Sequence, residues 1–143
     1  MTETVAKMKQ MRLLGMARAF THTMESGKNE SFTPDEMITH LIDSEWDERY
    51  NRKLDRTVKE ARFRYKASIE QIGFEDNRVD KNQILRLADC SFIKRAENII
   101  ITGSTGIGKS FLASAIGHQA CSLGYKVLYQ HSTKLFARLK IAK

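Results

Sequence analysis

The sequence predicts an α/β fold: a helical N-terminal domain, then the first βαβ part of a parallel sheet. Three observations carry this. From Pro34 the chain reads PDEMITHLIDSEWDERYNRKLDRTVKEARFRY, with no glycine and no second proline. That is the composition of one long helix, or of two with a bend. After residue 97 the period changes, and residues 98–102 hold Ile99, Ile100 and Ile101 in succession. Such a β-branched run belongs to a strand buried in a parallel sheet. Next comes GSTGIGKS, residues 103–110, a glycine-rich loop where a strand gives way to a helix.

The elements follow in order. Residues 4–25 place Val5, Met8, Met11, Leu14, Ala17 and Phe20 at mixed helical spacing, and ESGKNESF interrupts them. Thr33 then opens the long helix. It is a good N-cap, Pro34 suits the first helical position, and Glu36 completes a capping box. Phe32 and Met37 are placed for a hydrophobic staple across that start. Residues 67–80, ASIEQIGFEDNRVD, read as a linker broken at Gly73, and two short helices follow at 81–89 and 91–96. The first strand is 98–102. A helix over 109–123 follows the loop and is stopped by Gly124. The second strand is 126–130, KVLYQ, and Ser132 caps a last helix. Three parts are expected: 1–66, a helical domain with a basic helix; 67–97, linker and short helices; 98–143, a partial nucleotide-binding core.

Composition narrows the class. Apolar residues make up 41% of the 143 residues, enough to bury a core. No run reaches the ~18 apolar residues of a membrane span. The amphipathic start MTETVAKMKQMRLLGMARAF lacks the layout of a signal peptide. Cys90 and Cys121 have no ligand spacing and are expected as free, buried thiols in a reducing cytoplasm. His22, His40, His118 and His131 are scattered, with no third partner at metal-ligand spacing. The net charge of +7 is unevenly spread: all 17 acids lie at or before Glu97, against 18 Lys and Arg in residues 1–97. Residues 98–143 hold six Lys and Arg and no acid, a balance suited to anionic ligands.

The loop fits G-x-x-x-x-G-K-[ST] at every fixed position. Gly103, Gly106 and Gly108 lack Cβ, so the chain can wrap tightly and turn its N–H groups onto phosphate oxygens. The start of the following helix adds partial positive charge at the same spot. Lys109 can reach β- and γ-phosphates, and the Ser110 hydroxyl can ligate Mg²⁺. Ser104, Thr105 and Ile107 complete the cradle, so residues 103–110 are the expected ATP site. Hydrolysis needs more: an acid at a strand end for Mg²⁺ and a group to orient water. No acid follows Glu97, so binding is expected and turnover is not.

A second feature is the basic helix. Between Arg49 and Lys66 stand eight Lys and Arg against Asp55 and Glu60. At ~100° per residue, Arg49, Arg52, Lys53, Arg56 and Lys59 share one sector, and Tyr50, Leu54, Val58, Ala61 and Tyr65 line the other. The cationic sector reads either as a solvated face with i,i+4 pairs or as a non-specific contact to the DNA backbone. Trp46, Phe63 and Tyr65 are either packing residues or platforms for bases. The methionines Met8, Met11 and Met16 fill a core or mark an adaptable surface.

RLLGMARAF, EWDERYNRKLDRTVKEARFRYKASIEQIGF and ENIIITGSTGIGKSFLASAIGHQACSLGYKVLY together resemble the IstB/DnaC-like ATP-binding proteins. These are AAA+ P-loop ATPases encoded beside transposases in insertion sequences, and the resemblance covers nearly the whole chain. It implies a helical N-terminal domain followed by a parallel AAA+ core. It implies ATP with Mg²⁺, homo-oligomers assembled on DNA, and delivery of target DNA to a cognate transposase. Only residues 103–110 carry over position by position. Residues 72–74 match the start of the family's ATPase core, where adenine contacts are implied.

The departure lies at the C-terminal end. The family continues with Mg²⁺-binding acids, a sensor and an arginine finger, so the resemblance reads this chain as an N-terminal fragment, truncated or cut by an interrupted reading frame. Two functions stay open: the front part of a DNA-acting ATPase helper, or a non-catalytic module that contacts DNA or transposase and carries a vestigial loop. A nucleotide kinase is a third, weaker reading, because such kinases place the loop near the N-terminus.

Overall fold

The structure is a computed structural model that describes residues 2–75 and 79–142. Among these residues the regular elements are helical: α1 (Thr2–Gln10), α2 (Leu14–Glu25), α3 (Pro34–Ala61), α4 (Lys81–Leu87), α5 (Ser91–Lys94), α6 (Lys109–Ser122) and α7 (Ser132–Ile141). Two 3₁₀ turns, Lys28–Ser31 and Ile69–Gln71, complete them. No helix among the described residues is long and apolar enough to cross a membrane.

The α/β expectation is corrected here, since no strand and no sheet occurs among the described residues. A strand exists through lateral pairing, and β-branched runs favour a pleated, half-buried surface only where a neighbouring strand supplies it. Neither predicted run has that neighbour. In residues 98–102, Ile100 is 85% exposed. In residues 126–130, the Tyr129 N–H donates to the Ala61 carbonyl at the end of α3 (2.8 Å) instead of to a ladder.

The described chain forms two compact units, Met1–Lys53 and Leu54–Lys143. In the first, the helical stretch expected over 4–25 divides at Arg12, whose φ is +61°. Leu13 N–H donates to Met8 and Arg12 N–H to Lys9, the paired closure of a helix that ends on a left-handed residue. The capping box that opens α3 is as its sequence predicts. Thr33 N–H and Oγ1 both donate to Glu36 Oε2 (2.8 Å each), and Glu36 N–H donates back to Thr33 Oγ1 (3.3 Å). Phe32 stacks on His40, with ring centroids 5.6 Å apart.

The start of α2 has no side-chain cap from its own N-cap residue, Leu13. Glu45, on α3, fills that role. Its Oε2 accepts from Gly15 N–H (2.8 Å) and Met16 N–H (3.2 Å), and its Oε1 accepts from Arg49 Nε (2.7 Å). The approach is close because residue 15 is glycine: an added Cβ would lie 2.4 Å from the Ser44 carbonyl oxygen and 2.8 Å from Glu45 Cα.

In the second unit, Ala67, Ile69, Ile84 and Ala115 form a buried cluster, with Ile72, Phe74, Phe111 and Leu112 packed against it. The stretch read as a linker therefore builds core, through the capped turn Ser68–Gln71. Gln119 of α6 donates to the Ala88 carbonyl just after α4 (2.9 Å). Gly124 ends α6 with φ +92°, Tyr125 N–H donating to Ala120 and Gly124 N–H to Cys121, as predicted from its position. The cap of α7 is His131 rather than Ser132: its Nδ1 accepts from Thr133 N–H (3.4 Å). Cys90 and Cys121 are free and buried.

Candidate nucleotide-binding site

The core holds α6 by its middle, through Ser114, Ala115, Ile116, Ala120 and Cys121, and so fixes the glycine loop at its head. Residues 102–108 are exposed, and Lys109 and Ser110 are half-buried. Gly106 (φ +80°) and Gly108 (φ +95°) sit in the left-handed region, where a side chain would be strained. Gly108 is the N-cap of α6 and supplies no side-chain acceptor. The first-turn N–H groups thus face the loop without a side-chain cap, an arrangement suited to anions. At Gly103 the missing Cβ makes room for Ile107, whose Cδ1 would lie 2.3 Å from it. Lys109 Nζ donates to the carbonyls of Gly103 (2.8 Å) and Ser104 (2.6 Å). The lysine is thereby held over the loop it belongs to.

The loop borders a cavity of about 540 Å³ that brings Ile107, Gly108 and Lys109 together with Ile72 and Gly73. That size is ordinary for small-molecule and cofactor pockets, which run from about 300 to 1,000 Å³. Its apolar lining includes Ile84, Phe111 and Leu112, and its polar groups include Gln71, Asp80 and Gln83. Asp80 also caps α4, accepting from Asn82 N–H (2.9 Å). Neither Asp80 nor Gln83 stands at any motif spacing, so the sequence carries no mark of their place here.

The five basic residues of α3 are all exposed. Arg49 pairs with Glu45 (2.7 Å) and Arg52 with Glu48 (3.1 Å), both i,i+4, and Lys53 is also engaged. Glu48 also pairs with Arg18 (3.0 Å). Of the aromatic residues, Trp46 is 74% exposed, while Phe63 packs where a Cβ of Gly117 would sit.

The profile of the family described as IstB-like ATP binding protein matches residues 6–143. A Sinorhizobium fredii protein named as an insertion sequence ATP-binding protein is 36% identical over 141 residues, 98% of this chain and 58% of its own length. The Pseudomonas fluorescens protein named as the insertion sequence IS1162 ATP-binding protein is 36% identical over 141 residues, 97% of this chain and 61% of its own length. The Pseudomonas aeruginosa protein named for IS21 is 31% identical over 121 residues, 84% of this chain and 46% of its own length. The chain therefore spans about half to three-fifths of the length of these relatives. With its G-x-x-x-x-G-K-S loop at the head of α6 and a match running from residue 6 to residue 143, the chain belongs to the IstB-like ATP-binding protein family.

Proposed function

We propose that the chain binds ATP with Mg²⁺ at residues 103–110, and that it assists transposition of an insertion sequence through ATP-dependent DNA binding and delivery of target DNA to the cognate transposase. The observation that carries the nucleotide reading is the shared cavity, which sets Lys109 and Gly108 beside Ile72 and Gly73. Phosphates lie against the N–H groups of the loop and the first turn of α6. Lys109 turns from the Gly103 and Ser104 carbonyls to the β- and γ-phosphates, and the Ser110 hydroxyl serves as a ligand for Mg²⁺. The metal neutralises phosphate charge. The base lies towards Ile72 and Gly73, within reach of the polar groups of Gln71, Asp80 and Gln83.

Arg49, Arg52, Lys53, Arg56 and Lys59 supply non-specific contact to the DNA backbone, with affinity that falls as salt rises. The working form is a homo-oligomer on DNA. Within these 143 residues we read binding rather than cleavage, since no acid follows Glu97; Asp80 lines the cavity and caps α4 through Oδ1.

Calorimetric titration tests the nucleotide site. Lys109→Ala lowers ATP affinity at least about tenfold, since charge-assisted contacts to phosphate are the strong ones. Unchanged affinity refutes the loop as the site. Steady-state assays of the 143-residue chain are expected to show negligible ATP hydrolysis, and turnover abolished by Lys109→Ala would refute the binding-only assignment.

A further inference from the structure

A second cavity, of about 590 Å³, lies in the same unit and is built without the glycine loop. Its cations are Lys59, Arg62 and Lys66, against a single carboxylate, Asp55. Its apolar wall includes Leu54, Val58 and Ala67, and Phe63 and Tyr65 bring two aromatic rings. Charge, apolar floor and aromatic face therefore meet in one concave site.

The local structure explains how they meet. Arg62, the residue after α3, takes a left-handed conformation at φ +56°, which costs an ordinary residue about 1–2 kcal/mol. Strain of this kind collects at functional sites. Phe63 then packs on Gly117 of α6, its Cε1 only 2.5 Å from where a Cβ would stand. This sets the wall formed by His118, the next residue of α6. Tyr65 lies tilted at 54° against Phe111, with centroids 6.2 Å apart, and keeps 41% of its surface exposed. Its ring is supported from within by Phe111, and the Arg64 guanidinium stands 5.4 Å from its centroid, a cation–π contact that a stacking base displaces or shares.

We infer that this cavity holds one unpaired nucleotide of a DNA strand. The base lies on the Tyr65 ring, and the flanking phosphates lie on Arg62, Lys66 and Lys59. A cationic groove with an aromatic platform is the arrangement that binds single strands without reading sequence. A duplex keeps its bases stacked inside and offers the cavity phosphates alone. The chemistry recognised is a base joined to phosphate, and the strand, rather than a free mononucleotide, is its source because three separate cations line one cavity.

The test uses the full chain and a fluorescein-labelled oligothymidylate of about 15 nucleotides, within the usual footprint of such sites. Fluorescence anisotropy at low salt is expected to give saturable binding. Tyr65→Ala weakens it about tenfold, whereas Tyr65→Phe retains it, because the ring alone supplies stacking. Lys66→Glu, at an exposed position, also weakens it and lowers the salt slope by about one, which keeps the test decisive should Tyr65→Ala fail to fold. The titrations are run without added nucleotide, so this result stands or falls apart from the ATP site. Three outcomes overturn the inference: no binding, binding indifferent to both Tyr65→Ala and Lys66→Glu, or full competition by thymidine monophosphate at equal nucleotide concentration. Binding of the matching duplex with the same loss in Tyr65→Ala also overturns it.

Discussion

Replacing Glu45 by alanine removes the cap that α3 supplies to α2. Three contacts go at once. The Gly15 N–H, bonded at 2.8 Å in a buried setting, is left without its acceptor, which costs about 1–3 kcal/mol. The Met16 N–H, at 3.2 Å and part-buried, adds a share at the lower end of a lost cap, about 0.5 kcal/mol. The Arg49 pair adds little, about 0.5 kcal/mol, because the arginine side chain is 59% exposed. The expected loss is about 2–4 kcal/mol, which lowers exchange protection in α2 about 30- to 900-fold where it reports opening of the unit. Amide hydrogen exchange at Gly15 and Met16 measures this directly. Glu48→Ala is the control: Glu48 bonds Arg18 and Arg52, whose side chains are 71% and 52% exposed, so its loss costs less than about 1 kcal/mol. Equal effects of the two substitutions would refute the capping role of Glu45.

Other expectations follow from the same contacts. Burial pushes the Glu45 carboxyl up, but hydrogen bonds from Arg49, Met16 and Gly15 outweigh it, so its folded pKa lies below the ordinary 4.5. The stability it contributes is therefore present above pH 4.5 and lost as pH falls through the folded value; Glu45→Gln flattens the acid limb of a denaturation–pH profile, and an unchanged limb disproves the assignment. Gly15→Ala is destabilising by about 1–3 kcal/mol despite alanine's better helix propensity, because the backbone of α3 must move; a raised melting temperature would contradict the close approach. Burial raises the Cys90 thiol pKa, with the Asp89 carboxylate adding to it, and burial alone raises that of Cys121. Both should react with a disulfide reagent only when the chain unfolds, and rapid labelling under native conditions would show that they are accessible.

Local signals were the legible ones. Thr33, Pro34 and Glu36 announced the start of α3, Gly124 the end of α6, and the glycine loop its own place ahead of α6, because each depends on neighbours within one turn of chain. The strands were misread for a related reason: Ile99, Ile100 and Ile101 record a preference for a pleated surface, whereas pairing is supplied from elsewhere in the chain. Ala67 and Ile69 sat in a stretch with glycine and little periodicity, so their burial beside Ile84 and Ala115 left no trace in spacing. Glu45 looked like one acid among several on a polar helix. Only the fold shows that it meets the open end of another helix thirty residues back. Asp80 and Gln83 belong to the candidate site by tertiary placement alone.

The two hydrogen bonds from Lys109 to Gly103 and Ser104 form a latch with which an incoming phosphate must compete. A ligand that engages only the loop amides leaves this latch closed. One that recruits the lysine must offer anionic oxygens good enough to replace two backbone carbonyls. Selectivity among anionic ligands then depends on the bonds a ligand must break as well as on those it makes.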